Sequence, residues 1–380
     1  MQLTEASATA RTCHVGQSLL LAALALSGVQ PALAENPPER ATIAWKYLDY
    51  LDMQPGWDRV GVKANAVSVL APVAGDWSIG GSWTRDVVSG ASPAFHSEEL
   101  LSADFDETRL GREAEITRFF DRGSLSLGWT DSQESDYTSR GWSLTGSFST
   151  LSRNTTFTAG ASTSQDRIDV AAVGITQESK NVDSWSVGVA QVLTPVDLVR
   201  LDYTRTEGDG YFSDPYKFRD NRPGHRQQDT VVLRWNHHFV TLDASLRLSW
   251  RWYTDSFGVD AHTLGAEYVQ AFGDGWTVTP SIRLHAQSQA DFYLDPRFRG
   301  LPAIVPRSEL QSQDQRLATF GAVTAGIKAV KRFGRDWTVD VELARYEQRS
   351  GWYPFGGAGR WIEPFSANLL QFGVSRSFGD

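Results

Sequence analysis

The sequence predicts an all-β protein: a single antiparallel transmembrane β-barrel of about sixteen strands, with short periplasmic turns and long extracellular loops. Three observations predict this fold. Apolar and polar residues alternate along most of the chain after residue 40, tight and long connections alternate, and tryptophan recurs where strands begin. Together they are typical of a sheet that meets lipid on one face and water on the other.

Alternation is clearest in TLDASLRLSWRWY (241–253) and WTVDVELARYEQR (337–349). In the first segment, one face carries only Leu, Ala and Trp, and the other carries Thr, Asp, Ser and Arg. A period of two residues indicates a strand whose faces have different surroundings. The predicted strands lie near 42–51, 58–71, 77–89, 108–120, 123–136, 138–151, 155–167, 181–193, 197–207, 228–239, 241–254, 259–272, 276–290, 315–332, 336–349 and 366–378.

Three of these strands have irregular patterns. The segment 42–51 is short and could lie outside the barrel, which would break the even strand number. The segment 315–332 is weakly patterned. Pro280 falls inside a strand, and because a closed sheet has no free edge, it predicts a bulge.

The composition is compatible with a membrane barrel and excludes a helical membrane protein. Of 380 residues, 41% are hydrophobic, yet no run of about 20 apolar residues could form a membrane-spanning helix. The chain holds 14 Trp and 19 Phe, and Trp is favoured at bilayer interfaces. A net charge of −9 argues against nucleic acid as a partner.

The N-terminus has the pattern of a cleaved secretory signal peptide over residues 1–34. Arg11 precedes an apolar run, LLLAALALSG (19–28), and Ala32-Leu33-Ala34 supplies a cleavage site of the small-x-small type. The pattern predicts export from the cytoplasm.

Cleavage there also defines the domains and removes the only cysteine. Residues 35–41 become a short periplasmic segment, and 42–380 form the barrel. Cys13 leaves with the signal, so the mature chain has no thiol for a disulfide or a metal site.

The connections sort by length. The tight ones read APVAGD, DRG, SRN, TPV, HHF, GDG and FGRD, and the longer ones lie at 90–107, 168–180, 208–227, 291–314 and 350–365. Short periplasmic turns opposite long extracellular loops are typical of outer-membrane barrels, whereas a soluble sandwich has no reason to segregate its loops. With an even strand number, both termini lie on the periplasmic side.

Aromatic residues flank three of the tight turns, in which Gly and Asp supply the turn chemistry. A tryptophan begins the strand after each, on its apolar face, and a phenylalanine precedes two of them. An ordinary hairpin with an apolar flank is the alternative to an aromatic girdle at the periplasmic interface. The predicted girdle residues are Trp77, Phe272, Trp276, Phe333 and Trp337.

The last strand, LLQFGVSRSFGD (369–380), resembles the C-terminal recognition strand of outer-membrane barrels. It places four apolar residues on one face, which predicts recognition by the barrel-insertion machinery. Arg376 stands where an apolar residue is usual, and Gly379-Asp380 follow the final Phe. The four residues are Leu370, Phe372, Val374 and Phe378.

Eight segments spread along the mature chain carry a family resemblance. They are YLDY (47–50), QPGWDRV (54–60), LAPVAGDWS (70–78), VSGASPAFH (88–96), DETR (106–109), TRFFDRGS (117–124), NTTFTAG (154–160) and EPFSANLLQFGVSRSF (363–378). These segments resemble a bacterial family catalogued as Domain of Unknown Function 3570, and the resemblance covers nearly the whole mature chain. It implies an outer-membrane protein of a Gram-negative bacterium and genes nearby for periplasmic redox components, such as thioredoxin-like and flavin-attaching proteins. The family has no assigned catalytic residue.

Charged residues on the polar strand faces predict a charged lumen. Basic and acidic walls that face each other would select polar solutes, and the alternative is a set of salt bridges that only stiffens a wet interior. The predicted lumen-lining charges are Arg200, Asp202, Arg234, Asp243, Arg247, Arg251, Arg283, Asp340 and Glu342.

Two long loops are polar enough to bind a cation or fold inward. The segment 88–109 lacks the regular acidic spacing of a calcium loop, so an ordinary polar loop is favoured there, and likewise at 208–227. The candidate residues in the first loop are Ser89, Gly90, Ser92, Pro93 and His96.

No enzyme, metal site or cofactor is predicted. His237 and His238 are neighbours in a strand and face opposite sides, so they cannot share a metal without a bend. His262-Thr263 lacks an evident nucleophile–base spacing. A porin-like conduit for small polar solutes or ions is favoured. The alternatives are a non-conducting scaffold or sheath that docks a periplasmic redox protein or lipoprotein and, less favoured, a barrel hydrolase. In each case the lipid bilayer surrounds the protein.

Overall fold

The chain forms one closed antiparallel barrel of sixteen strands, as the alternation predicted. The structure, a computed structural model, describes residues 36–90, 105–171, 174–217, 220–295, 309–354 and 362–379. The strands are β1 Ala41–Gln54, β2 Trp57–Val73, β3 Trp77–Gly90, β4 Phe105–Phe120, β5 Gly123–Gln133, β6 Tyr137–Ser149, β7 Thr155–Val170, β8 Ile175–Thr194, β9 Asp197–Gly210, β10 His225–Phe239, β11 Ala244–Asp255, β12 Asp260–Phe272, β13 Trp276–Gln287, β14 Phe320–Phe333, β15 Trp337–Arg349 and β16 Phe365–Phe378.

The first and last strands close the barrel. β1 pairs with β16 from Ala41↔Phe378 to Met53↔Ser366, and it also pairs with β2. Arg40, just before β1, donates hydrogen bonds to the carbonyl oxygens of Gly379 and Arg335 at 2.9 and 2.8 Å. The first predicted strand therefore belongs to the barrel, and no strand edge is left unpaired.

Large apolar side chains point outward along the strands. Leu127, Leu144 and Val187 remain 46%, 49% and 57% exposed although they lie in the middle of a closed sheet. Polar, small or charged residues alternate with them and face the interior. An exposed apolar band around a closed barrel is the surface that lipid covers.

The two ends of the barrel differ. Both termini and seven short connections lie at one end, which we call the turn end. The other end, the loop end, holds the long connections. Three of them have described residues, which are 211–217 with 220–224, 288–295 with 309–319, and 350–354 with 362–364.

Several predicted boundaries differ from the structure. His237–Phe239 complete β10, and the turn is 240–243 instead. Pro280 causes no bulge, because β12 and β13 keep one register from Glu267↔Ser281 to Gln270↔Val278 and only the intervening pairs are missing. Loop-end connections are not uniformly long, since β1–β2 and β11–β12 are joined by 55–56 and 256–259.

β14 also starts later than its weak pattern suggested. It begins at Phe320, after a 3-10 turn over Gln315–Leu317 that the Asp314 side chain caps by accepting a hydrogen bond from the Arg316 backbone N–H. Among the described residues, no helix has the length and apolar character needed to cross a membrane.

Candidate functional site

Charged side chains line the interior at the middle of the barrel, on β9 and β10. Arg200 and Arg234 are paired across these strands. Both contact the Asp202 carboxylate, with nitrogen–oxygen distances of 2.7 and 2.6 Å. These three predicted lumen residues lie together and form a compensated group.

The predicted acidic residues of the lumen lie near the arginines in the ring of strands. Asp340 and Glu342 lie on β15, only two strands from Arg283, and the Lys328 ammonium is 3.7 and 4.0 Å from their carboxylates. Lys328 lies on β14 and was not among the predicted residues. Asp340 and Glu342 therefore form a compensated acidic pair beside the arginines.

Two arginines of the predicted set pair with no carboxylate in the part of the chain that the structure describes. Among the described residues, Arg251 and Arg283 form no ion pair, and Arg251 lies over the Tyr253 ring at 5.1 Å. Arg247 makes a loose pair with Glu267 at 3.6 Å. The basic charge of β11–β13 thus exceeds its acidic charge.

An acidic wall does exist on the other side of the barrel. Glu113 and Glu115 face inward on β4, which is eight strands from β12 in a ring of sixteen. Among the described residues they form no ion pair and accept hydrogen bonds from Ser82 at 3.1 Å and Thr117 at 3.4 Å. Opposed charges across a lumen create a transverse field. Neither glutamate was among the predicted lumen residues.

Several inward charges are exposed, although the closed sheet surrounds them. The side chains of Arg234, Arg247 and Glu267 are 49%, 54% and 46% exposed. Space for solvent therefore lies inside the barrel at this level, as expected for a barrel of this strand number.

Two long connections meet at the loop end through a buried ion network. We call Asp214, Asp220, Arg222, Asp314 and Arg316 the loop clamp. Arg222 contacts Asp220 and Asp314 at 2.8 Å, and Arg316 contacts Asp214 at 2.7 Å and also Asp314. The Asp314 side chain is 1% exposed.

The loop clamp favours the ionised form of the Asp314 carboxyl. Burial alone would raise the pKa of Asp314, but Arg316, Lys217 and Arg222 outweigh it and hold that pKa well below its ordinary value. Burial raises the pKa of Asp220, and Arg222 opposes the rise. Asp314 is therefore the anionic centre that joins the two loops.

Apolar packing places the clamp inside the mouth of the barrel. Phe257 contacts Phe292 with ring centroids 5.0 Å apart, and both join a buried cluster with the inward-facing Phe320 of β14. Gln287 of β13 donates hydrogen bonds to the carbonyl oxygens of Arg316 and Ala318 at 2.9 and 3.0 Å. The loop end is thus narrowed by packed chain, whereas the level below it contains solvent-exposed charges.

The predicted girdle residues lie at the turn end and share one arrangement. A cation on the neighbouring strand lies directly across from each tryptophan: Arg118 across from Trp77, Lys331 from Trp276 and Arg376 from Trp337. Each cation lies 5.1 to 5.4 Å from its tryptophan ring. It also lies 4.7 to 5.7 Å from a second aromatic ring, which is Phe120, Phe333 or Phe378.

This arrangement explains the arginine in the last strand. Arg376 shares the outward face of Leu370 and Phe378 and lies between two rings, where its long side chain can reach the interface. Phe372 packs against Trp45 with centroids 5.9 Å apart. Phe272 is 56% exposed at the end of β12.

Other predicted residues lie elsewhere. Asp243 is in the β10–β11 turn, with a φ of 47°, because β11 begins only at Ala244. Ser89 and Gly90 end β3, and Ser92, Pro93 and His96 lie outside the described residues, as does the predicted signal peptide.

The neighbouring histidines of β10 have different partners. His237 and His238 accept or donate separate bonds, to Asp197 at 2.8 Å and Ser245 at 3.1 Å. No group of three potential metal ligands occurs in the described part of the chain. Thr263 bonds His285 at 2.8 Å, and the second ring nitrogen meets the amide of Gln287 and not a carboxylate.

Two of the segments that resemble the family each contain an arginine in a buried ion pair. Neither ion pair was predicted from the sequence. Arg59, in QPGWDRV, bonds Asp52 at 2.9 Å with neither side chain more than 1% exposed. Arg109, in DETR, bonds Asp86 at 2.9 Å. Both pairs lie inside the barrel near the loop end, so these residues fasten neighbouring strands there.

Comparison with known proteins agrees with the fold. A family model described as "Protein of unknown function (DUF3570)" matches residues 94–367. No curated protein matches the chain.

Solved structures similar to the chain are outer-membrane barrels at low sequence identity. A bacterial polysaccharide outer membrane secretin is 10% identical with a TM-score of 0.53, over 90% of this chain and 99% of that one. CdiB from Acinetobacter baumannii is 9% identical with a TM-score of 0.50, over 88% of this chain, which spans 60% of CdiB. At such identities the similarity shows the fold alone.

Proposed function

The chain belongs to the family of proteins of unknown function DUF3570, and we propose that it is a conduit for small polar solutes or ions across the outer membrane of a Gram-negative bacterium. The solvent-exposed charges inside the barrel carry this proposal. A scaffold that only needed rigidity would gain more from a packed interior than from exposed ionised side chains.

The turn end would face the periplasm and the loop end the outside. The cation-bearing aromatic girdle supports this orientation, because Trp, Arg and Lys are favoured where hydrocarbon meets the headgroups. The apolar face of β16 would be the surface that the barrel-insertion machinery recognises. A lipid bilayer is then the constant partner of the outward face.

Conductance in planar bilayers tests the proposal. The purified, folded barrel is expected to conduct ions, and Arg247→Glu with Arg251→Glu is expected to change the ratio of anion to cation permeability. A matched control is Arg153→Glu with Arg335→Glu, which makes the same charge change in turns outside the lumen. A folded barrel that stays silent at every voltage would contradict the conduit.

One observation favours the alternative of a non-conducting scaffold. The loop clamp and the buried aromatic cluster narrow the loop end, while the turn end presents only short connections. A silent barrel that co-purifies with a flavin- or haem-bearing periplasmic protein, or with a lipoprotein, would support that second function.

A further inference from the structure

We propose that the inner wall around Gly265 is a binding site for the oxyanion group of a small solute, either a carboxylate or a phosphate. Arg251 and Arg283 would bind the anion, with the Ser249 hydroxyl as a third donor. Its meaning for transport rests on the proposed conduit, but binding itself requires only the folded barrel.

The strand register places these residues around one point. Ser249 pairs with Gly265, and Gly265 pairs with Arg283, so the three lie side by side on β11, β12 and β13. Arg251 is two residues after Ser249 and therefore faces the same side. Strands lie about 4.8 Å apart, so Arg283 lies beside the glycine and Arg251 lies diagonally across from it, with its guanidinium over the Tyr253 ring.

The charge of the wall is uncompensated there. Inward arginines on the neighbouring strand are paired: Arg226 contacts Asp255, and Arg234 contacts Asp202 at 2.6 Å. Arg251 and Arg283 form no ion pair among the described residues. A guanidinium without a carboxylate retains donors that match an oxyanion in bidentate geometry.

Gly265 keeps the centre of the site open. A Cβ atom there would lie 2.6 Å from the Ser249 hydroxyl oxygen, so that hydroxyl lies over the glycine. Any larger residue at this position would force the Ser249 hydroxyl to move. The glycine thus leaves the space over it to that hydroxyl, beside Arg283.

The acidic residues on the opposite wall of the lumen would orient a solute at the site. Glu113 and Glu115 on β4 repel an anion and drive it toward β11–β13. A solute with both an anionic and a cationic group would be oriented across the lumen, with its anionic group at Arg251 and Arg283.

The test measures binding separately from conduction. Isothermal titration with inorganic phosphate and, in a second arm, with acetate is performed on the detergent-solubilised folded barrel. Binding to the native chain is expected, with at least a ten-fold loss in Arg251→Gln with Arg283→Gln, because charged hydrogen bonds are removed. The ratio between the two arms assigns phosphate or carboxylate as the preferred group.

A second variant keeps the charge and fills the space. Gly265→Ala should weaken binding several-fold, whereas Gly160→Ala should not, although a Cβ there would crowd a serine hydroxyl in the same way, at 2.9 Å. Absence of binding to the native barrel, or equal binding by the double glutamine variant, would overturn the site even if the barrel conducts. Binding by a barrel that does not conduct would uphold the site and contradict the conduit.

Discussion

The loop clamp should lose several kcal/mol of stability when its central carboxylate, that of Asp314, is neutralised. Asp314→Asn keeps the shape of the side chain but removes the negative charge shared by Arg222 and Arg316. Breaking a buried ion pair by removing one partner costs about 3–5 kcal/mol. The lower end applies, because Arg222 keeps Asp220 and Arg316 keeps Asp214.

A loss of about 3 kcal/mol changes the opening equilibrium of the loop roughly hundred-fold, since 1.4 kcal/mol is a factor of ten. Hydrogen–deuterium exchange over residues 309–319 measures this equilibrium directly. The protected amides of Asn221 and Gln311, which bond each other's carbonyl oxygens, should exchange about a hundred times faster in the variant.

The matched control is Asp209→Asn, at the base of the β9–β10 connection that the clamp joins to the segment of Asp314. Asp209 bonds His225 at 2.8 Å but is 74% exposed, and exposed pairs contribute about 0–1 kcal/mol. If Asp314→Asn accelerates exchange no more than Asp209→Asn does, the conclusion that the Asp314 carboxylate joins the two loops is refuted.

The same carboxyl predicts a pH dependence. Its folded-state pKa lies well below the ordinary 3.8, so its contribution is present above pH 3.8 and is lost only as pH falls through the folded value. Exchange protection of 309–319 should therefore persist through pH 5 in the native chain.

Three further predictions concern other parts of the barrel. Burial raises the pKa of Glu134 to about 8, so resistance to urea should fall as pH rises from about 5 to 8. Glu134→Gln should remove that slope; an unchanged slope would assign it to another group. Asp52→Asn leaves the buried Arg59 without a carboxylate and should lower the folded fraction, which is measured by heat-modifiable migration on gels. Asp52→Asn combined with Arg59→Met should recover part of that fraction. Arg376→Ala removes the cation between Trp337 and Phe378 and should destabilise the barrel in vesicles by about 1 kcal/mol. Arg376→Lys should retain most of the lost stability, because it keeps the cation. Equal urea midpoints in the two variants would contradict the cation–π pairing.

The fold could be predicted because its cause is local. A two-residue period reports which face of each strand meets lipid, so sixteen strands and their faces follow from neighbouring residues alone. Strand ends are harder to predict from this period. The residues of the 240–243 turn keep the apolar–polar alternation, although strand pairing has already ended at Phe239.

The site depends on relations between distant strands, which no local pattern contains. Glu113 and Glu115 oppose β12 only because sixteen strands close into a ring. Lys328 lies in the segment whose pattern was weakest, so the partner of Asp340 was missed. Asp214 and Arg316 are joined only after two long connections meet at the loop end.

The joint between β1 and β16 has a consequence for biogenesis. Arg40 bonds Gly379, a partner 339 residues away, and β16 is the strand that pairs with β1, so the cylinder cannot be sealed until β16 has been translated. Until that moment two unsatisfied sheet margins exist together, and either could recruit a second chain. We expect assembly to end in one concerted event, in which a polypeptide lacking β16 remains an open, protease-sensitive sheet.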